Sequence, residues 1–172
     1  MQLIARLVAL PALLAEVSCA RPAADVASRG AVPQNVVSQK AAATVQLERR
    51  PCYGTCPVYT VALFDDGTVQ FDGVQHVAAQ GRQTAHIDQR AVADLVARLD
   101  RAGFSALPDR FVAGSPSCGD YANDAPTVIV TLRRGTVFKT VQHDRGCAAA
   151  LSLNALEQAI DSVANTARWI KP

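Results

Sequence analysis

Two cysteines four positions apart carry the most explicit chemistry in this chain. They lie in Pro51-Cys52-Tyr53-Gly54-Thr55-Cys56-Pro57-Val58-Tyr59, flanking a Tyr-Gly-Thr turn. A thiol pair at this spacing can close a disulfide, hold a metal ion, or cycle between dithiol and disulfide. With His143, His76 or His86 as a third ligand, Cys52 and Cys56 would form a copper or zinc site. Thiol redox chemistry is the weaker alternative, because the Cys-x-x-Cys spacing is absent. A second candidate is polar: His143-Asp144, with Asp124 nearby in the chain, has the residue types of an acid–base pair. A single histidine after a strand is more often a surface or capping residue.

The chain has no Gly-x-Ser-x-Gly, no His-Glu-x-x-His and no phosphate-binding glycine loop. We therefore expect no enzyme and no cofactor. The spacing and trailing proline of Cys52-x-x-x-Cys56-Pro57 are similar to copper-delivery proteins of thioredoxin fold. There, however, the cysteines open a helix, whereas here an apolar, strand-like run follows. The 17 basic and 15 acidic residues leave a net charge of +2. That is too little for a nucleic-acid footprint, which needs a basic face.

The cysteines also report a compartment. Met1 to Ala20 has Arg6 in a short basic start, then an uncharged run from Leu7 to Ala15, then Ser18-Cys19-Ala20. This is the pattern of an export signal over residues 1–19, and the apolar run is too short to span a bilayer. Cleavage can be read two ways. Ser18 and Ala20 suit an ordinary signal-peptidase site. Alternatively Cys19 is the lipid-modified residue of a lipoprotein, with Val17 and Ser18 in pattern and Glu16 out of it. Lipidation is favoured because it gives the fifth, odd cysteine a use. Residues 20–43, rich in Ala, Pro, Ser, Gln and Val, have linker composition; if flexible they reach about 25–30 Å. A membrane tether through Cys19 follows, in a periplasmic or membrane-anchored setting, while a protein or small-molecule partner stays unidentified.

Setting Cys19 aside leaves Cys52, Cys56, Cys118 and Cys147. Export makes disulfides the default. Of the three possible pairings we favour Cys52–Cys56 with Cys118–Cys147, one closing a tight turn and the other tying a long loop to the start of the last helix.

The elements that position these residues read as an α+β domain over 44–172. A mainly antiparallel sheet of about five to seven strands carries two helices on one face, stapled by two disulfides. Thr44–Arg49 alternates as a half-buried strand. Val58–Phe64, apolar on both faces, reads as a central strand covered on both sides. Asp66-Gly67 marks a hairpin whose two-residue loop sets Phe64 opposite Val69 and Ala62 opposite Phe71. Gly73 opens a further pair, Val74–Ala79 and Gln83–Ile87. Asp88 caps a helix bearing Val92, Leu95, Val96 and Leu99, and Gly103 ends it. Ser105–Ala125 is a long irregular loop. A second hairpin turns at Arg134-Gly135 and sets Leu132 opposite Val137 and Val128 opposite Val141, with Lys139 a misfit on the same face. The last helix carries Leu153, Leu156, Ile160 and Val163. It starts near Cys147 or at a capping box of Asn154 and Glu157. Trp169 and Ile170 pin the C-terminus to the core.

Several of these segments, in order, resemble one family. They are Pro51 to Tyr59, Asp66-Gly67-Thr68, Gly81, Ala102-Gly103-Phe104, Asp124-Ala125-Pro126, His143 and Arg168-Trp169-Ile170. The chain resembles the bacterial domain of unknown function DUF6438 over residues 44–170. Asn123 stands where that family more usually has Thr. The resemblance implies an exported or lipid-anchored protein and supplies no catalytic residues. The function expected is a non-catalytic, disulfide-stabilised envelope domain that binds or supports. The alternative is a metal-binding or redox accessory protein using Cys52, Cys56 and a histidine.

Overall fold

The computed structural model describes residues 43–171. The export signal expected over 1–19, Cys19, and the linker up to residue 42 lie outside the described residues. One sheet of seven strands organises the domain: β1 (Val45–Arg49), β2 (Val58–Leu63), β3 (Thr68–Gln75), β4 (Gly81–His86), β5 (Arg110–Phe111), β6 (Thr127–Arg134) and β7 (Val137–Asp144). Their order across the sheet is β4-β3-β2-β1-β6-β7-β5. Every pair is antiparallel except β5 with β7. The first strand in sequence thus occupies the middle of the sheet.

Helices α1 (Gln89–Arg101) and α2 (Leu151–Ala164) cover one face, and a short α3 (Ala167–Ile170) follows. Val45, Leu47, Val61, Leu63, Val69 and Phe71 point inward and join Val128, Val130, Leu132 and Val141 in one core. Val92, Leu95 and Leu99 of α1, with Leu153 and Ile160 of α2, close it from above. This is the expected α+β architecture with two helices on one face. Asp88 caps α1 as predicted, accepting the Arg90 amide hydrogen at 2.8 Å. Gly103 takes the left-handed conformation, with φ 69°, that turns the chain after α1. Trp169 stacks on Phe71 at 4.9 Å, and its carbonyl accepts from Ala79 N, so the C-terminus is pinned as expected.

The first hairpin differs from the expected register by one residue. Leu63 pairs with Val69 and Val61 with Phe71. The reason is a three-residue loop, Asp65-Asp66-Gly67, closed by Phe64 N donating to Thr68 O. A one-residue change exchanges the two faces of a strand, so Val61 and Leu63 are buried rather than Ala62 and Phe64 as a pair. Among the described residues β2 is covered on one side only and not on both as expected, since Val58, Thr60 and Ala62 are half-exposed.

Gly73 does not open a strand. It lies inside β3, which runs on to Gln75, and a Cβ there would sit 2.1 Å from the Ala79 carbonyl oxygen. Residues 76–80 form the connection to β4 instead of a strand. The second hairpin keeps its predicted face but moves by two residues. Val128 pairs with His143, Val130 with Val141, and Leu132 with Lys139, because the turn is Gly135-Thr136. Lys139 ceases to be a misfit: its ammonium donates to the Leu107 carbonyl and to Asp109 Oδ1. The long loop holds β5, whose two residues give no sequence period to detect.

Candidate functional site

Both disulfides sit at the same end of the sheet. The Cys52–Cys56 bond, with S–S 2.00 Å, closes the connection from the end of β1 to the start of β2. The Cys118–Cys147 bond, at 2.07 Å, ties the long loop to the segment just after β7. The two differ in environment. Cys118 and Cys147 are fully buried, whereas Cys52 and Cys56 are half-buried. The small ring of the first bond leaves the Tyr53 side chain 91% exposed. Tyr121 is displayed by the second locked segment, and its hydroxyl donates to Asp144 Oδ2 at 3.0 Å. That bond and the nearby Asp144 and Asp124 charges push the Tyr121 phenol above its ordinary range.

Beneath this end lies a row of inward-facing side chains. Strand register aligns Tyr59, Arg49, Val128, His143 and Phe111 across β2, β1, β6, β7 and β5. Helix α2 crosses that row with Glu157 and Asp161, one turn apart. Asp161 accepts from the Tyr59 hydroxyl at 2.7 Å, from Arg49 Nη2 at 2.5 Å and Nε at 3.0 Å, and from Thr166 Oγ1 at 3.1 Å. Burial and the Asp161 charge push the Tyr59 phenol far up. Burial works against the Arg49 charge, but Asp161, Tyr59 and Glu157 together outweigh it and push the guanidinium pKa above its ordinary value. Further along the row Glu157 Oε1 meets His143 Nδ1 at 2.5 Å, both side chains 2% exposed. Arg145 Nε stands 3.8 Å from Glu157 Oε2 and donates to Asn154 Oδ1 at 2.8 Å. His143 Nε2 and Glu157 Oε2 have no hydrogen-bond partner.

The predicted polar group of Asp124, His143 and Asp144 is not one assembly. His143 and Asp144 are neighbours on β7 and point to opposite faces. His143 is buried against Glu157, while Asp144 Oδ1 accepts from Gly146 N and Asp144 Oδ2 accepts from Tyr121. Asp124 is exposed with φ 67°. Glu157 is no capping residue, since α2 begins at Leu151 and places it a turn and a half inside.

For metal binding, Cys52 and Cys56 are bonded to each other and His143 to Glu157. Among the described residues no group of three or more His, Cys, Asp and Glu side chains is arranged to hold a metal ion. Sequence reasoning missed Arg49, Glu157 and Asp161. A signal existed: Arg49 continues the inward parity of Val45 and Leu47, and both acids share the buried stripe of Leu153 and Ile160.

A family model described as "Domain of unknown function (DUF6438)" matches residues 43–164. The chain belongs to the DUF6438 family. No curated protein is similar enough to the chain to be matched. In this DUF6438 domain the Cys52 to Tyr59 segment joins the exposed turn to the buried network, because its last residue bonds α2. Two disulfides at bonding distance indicate an oxidising compartment. No helix among the described residues is long and apolar enough to cross a membrane.

Proposed function

We propose that this DUF6438 domain is a non-catalytic binding module of an exported protein. It is tethered to a membrane by a lipid on Cys19 and offers the Cys52–Cys56 turn to a protein partner. The observation that carries the reading is Tyr53, 91% exposed at the apex of a covalently closed ring. Exposed aromatics are frequent interface anchors, and a locked loop loses less entropy when it docks. The titratable groups that suggested catalysis are engaged in the fold: His143 with Glu157, and Asp144 with Tyr121 and Gly146. A net charge of +2 favours no nucleic-acid partner.

A photoreactive amino acid at position 53 tests the interface in the intact envelope. A discrete adduct from position 53 and none from position 151, where Leu151 is 61% exposed on the helical side, is expected. The same adducts from both positions, or none, would overturn the proposed interface. Mass spectrometry of the mature N-terminus tests the tether: a diacylglyceryl mass on Cys19 is expected, and an unmodified start at Arg21 removes it. Free thiols at Cys52 and Cys56 in protein taken from its own compartment would return the metal-binding alternative.

A further inference from the structure

Among the described residues the helices leave the other side of the sheet open, and over β1 to β4 that surface is concave. We infer that this concavity is a binding site for a neutral saccharide. Its volume is about 420 Å³, within the range of small-ligand sites. Strand register builds it from two adjacent rows. Gln46, Ala62 and Gln70 lie side by side on β1, β2 and β3. Thr60, Asp72 and Arg82 lie side by side on β2, β3 and β4. Val74, 62% exposed, stands at the margin where β3 bulges against β2.

The lining is rich in polar groups with little to bond to. Among the described residues, neither glutamine amide and not the Thr60 hydroxyl has a side-chain partner. Asp72 and Arg82 are a loose pair at 3.5 Å, each at least half exposed. Elsewhere on the same face Thr131 and Thr140 hydrogen-bond to each other at 3.0 Å. A solvated face needs polar side chains, but it does not need them convergent, unspent and set in a hollow.

The chemistry of the lining selects the ligand. Each amide and the hydroxyl both donate and accept, Asp72 only accepts, and Arg82 only donates. That set complements a ring of hydroxyl groups, each of which must do both. The formal charges of Asp72 and Arg82 cancel, so the hollow carries no net charge that would favour an ionic ligand over a neutral one. Ala62 and Val74 supply an apolar ledge for the C–H face of a sugar ring.

The inference rests on the reading of the domain as a binding module, though at a different face. The test is an NMR titration of the full mature chain with maltose, cellobiose and N,N′-diacetylchitobiose, and separately with diglycine and inorganic phosphate. Saturable shifts at the Gln70 and Asp72 amides with at least one sugar are expected. Asp72→Asn with Gln70→Ala should weaken that sugar about tenfold, or about 1.4 kcal/mol, with thermal stability unchanged. Thr131→Ala on the same face should leave binding as it was. No saturable shift there with any of the three sugars overturns the inference. Shifts with diglycine alone overturn it in favour of a zwitterion site, with Arg82 on the carboxylate and Asp72 on the ammonium. Shifts with phosphate alone overturn it in favour of an anion at Arg82. None of these results alters cross-linking from position 53, so failure here and failure of the turn as an interface are separable.

Discussion

The Tyr59 hydroxyl donates to Asp161 at 2.7 Å, joining the last residue of the cysteine segment to helix α2. Arg49 Nε donates to both, so three side chains from β1, β2 and α2 share one bond network. The side chains of Arg49 and Asp161 are only 14% and 19% exposed. Asp161→Asn would leave the guanidinium nearly buried without its counter-charge, a change that costs about 2–4 kcal/mol. Tyr59→Phe removes the hydrogen bond to the carboxylate together with the acceptor for Arg49 Nε, and costs about 1.5–3 kcal/mol. Urea denaturation of each variant and of the double variant measures the coupling; independent, additive losses would contradict a shared network.

The same tyrosine predicts an alkaline limit. Its folded pKa lies above the unfolded value of about 10. The folded state therefore keeps a proton that the unfolded chain releases. Its contribution is complete below about pH 10 and declines as pH rises toward the folded value, by up to about 1.4 kcal/mol per pH unit. Stability measured from pH 8 to 11.5 should fall more steeply above pH 10 in the native protein than in Tyr59→Phe. Parallel curves would show that Tyr59 does not govern this limb.

The His143–Glu157 contact is buried at both partners. Glu157→Ala alone leaves the buried His143 Nδ1 without its hydrogen-bond partner and should cost about 1–3 kcal/mol. Replacing both by apolar residues, Glu157→Leu with His143→Phe, should recover much of that loss, because no buried polar group is then left unpaired. Thermal unfolding of the single and double variants decides; a double variant less stable than Glu157→Ala would assign the pair a net stabilising role.

The two disulfides should differ in worth. On the chain-entropy account, the bond of sequence separation 29 contributes about 3.5 kcal/mol and the bond of separation 4 about 2 kcal/mol. Cys118→Ser with Cys147→Ser should therefore lower the urea midpoint more than Cys52→Ser with Cys56→Ser. The reverse order would mean that the small ring shapes the core and not only its own turn.

Much of the fold was legible because it rests on local signals. The Asp88 cap, the apolar stripe of α1, Gly103 and both disulfide pairings involve neighbours in sequence or residues of unmistakable type. Register was not legible. One extra loop residue at Asp65 moved the first hairpin by one position, and an off-by-two turn moved the second. Neither shift changes the alternation that the sequence displays in the strands themselves. The parallel pairing of β5 was invisible for a related reason: Arg110 and Phe111 are placed by β7, not by their own pattern. The polar row under the Cys52–Cys56 turn was missed because charged residues at inward positions read as exceptions to alternation. The sequence suggests Asp144 as the partner of His143, whereas its actual partner, Glu157, lies on a helix still to come.

The central place of β1 has a consequence for how the chain is made. Residues 45–86 can form a four-stranded meander as soon as they leave the ribosome or the export channel. One flank of that meander is β1 itself, and it waits for Thr127–Arg134 to be delivered. Neither disulfide bridges this gap, since each closes within one half of the sheet. During synthesis or secretion the bare edge of β1 is therefore open to pairing with another chain until β6 covers it. The interval before β6 arrives is when aggregation competes with completion of the sheet.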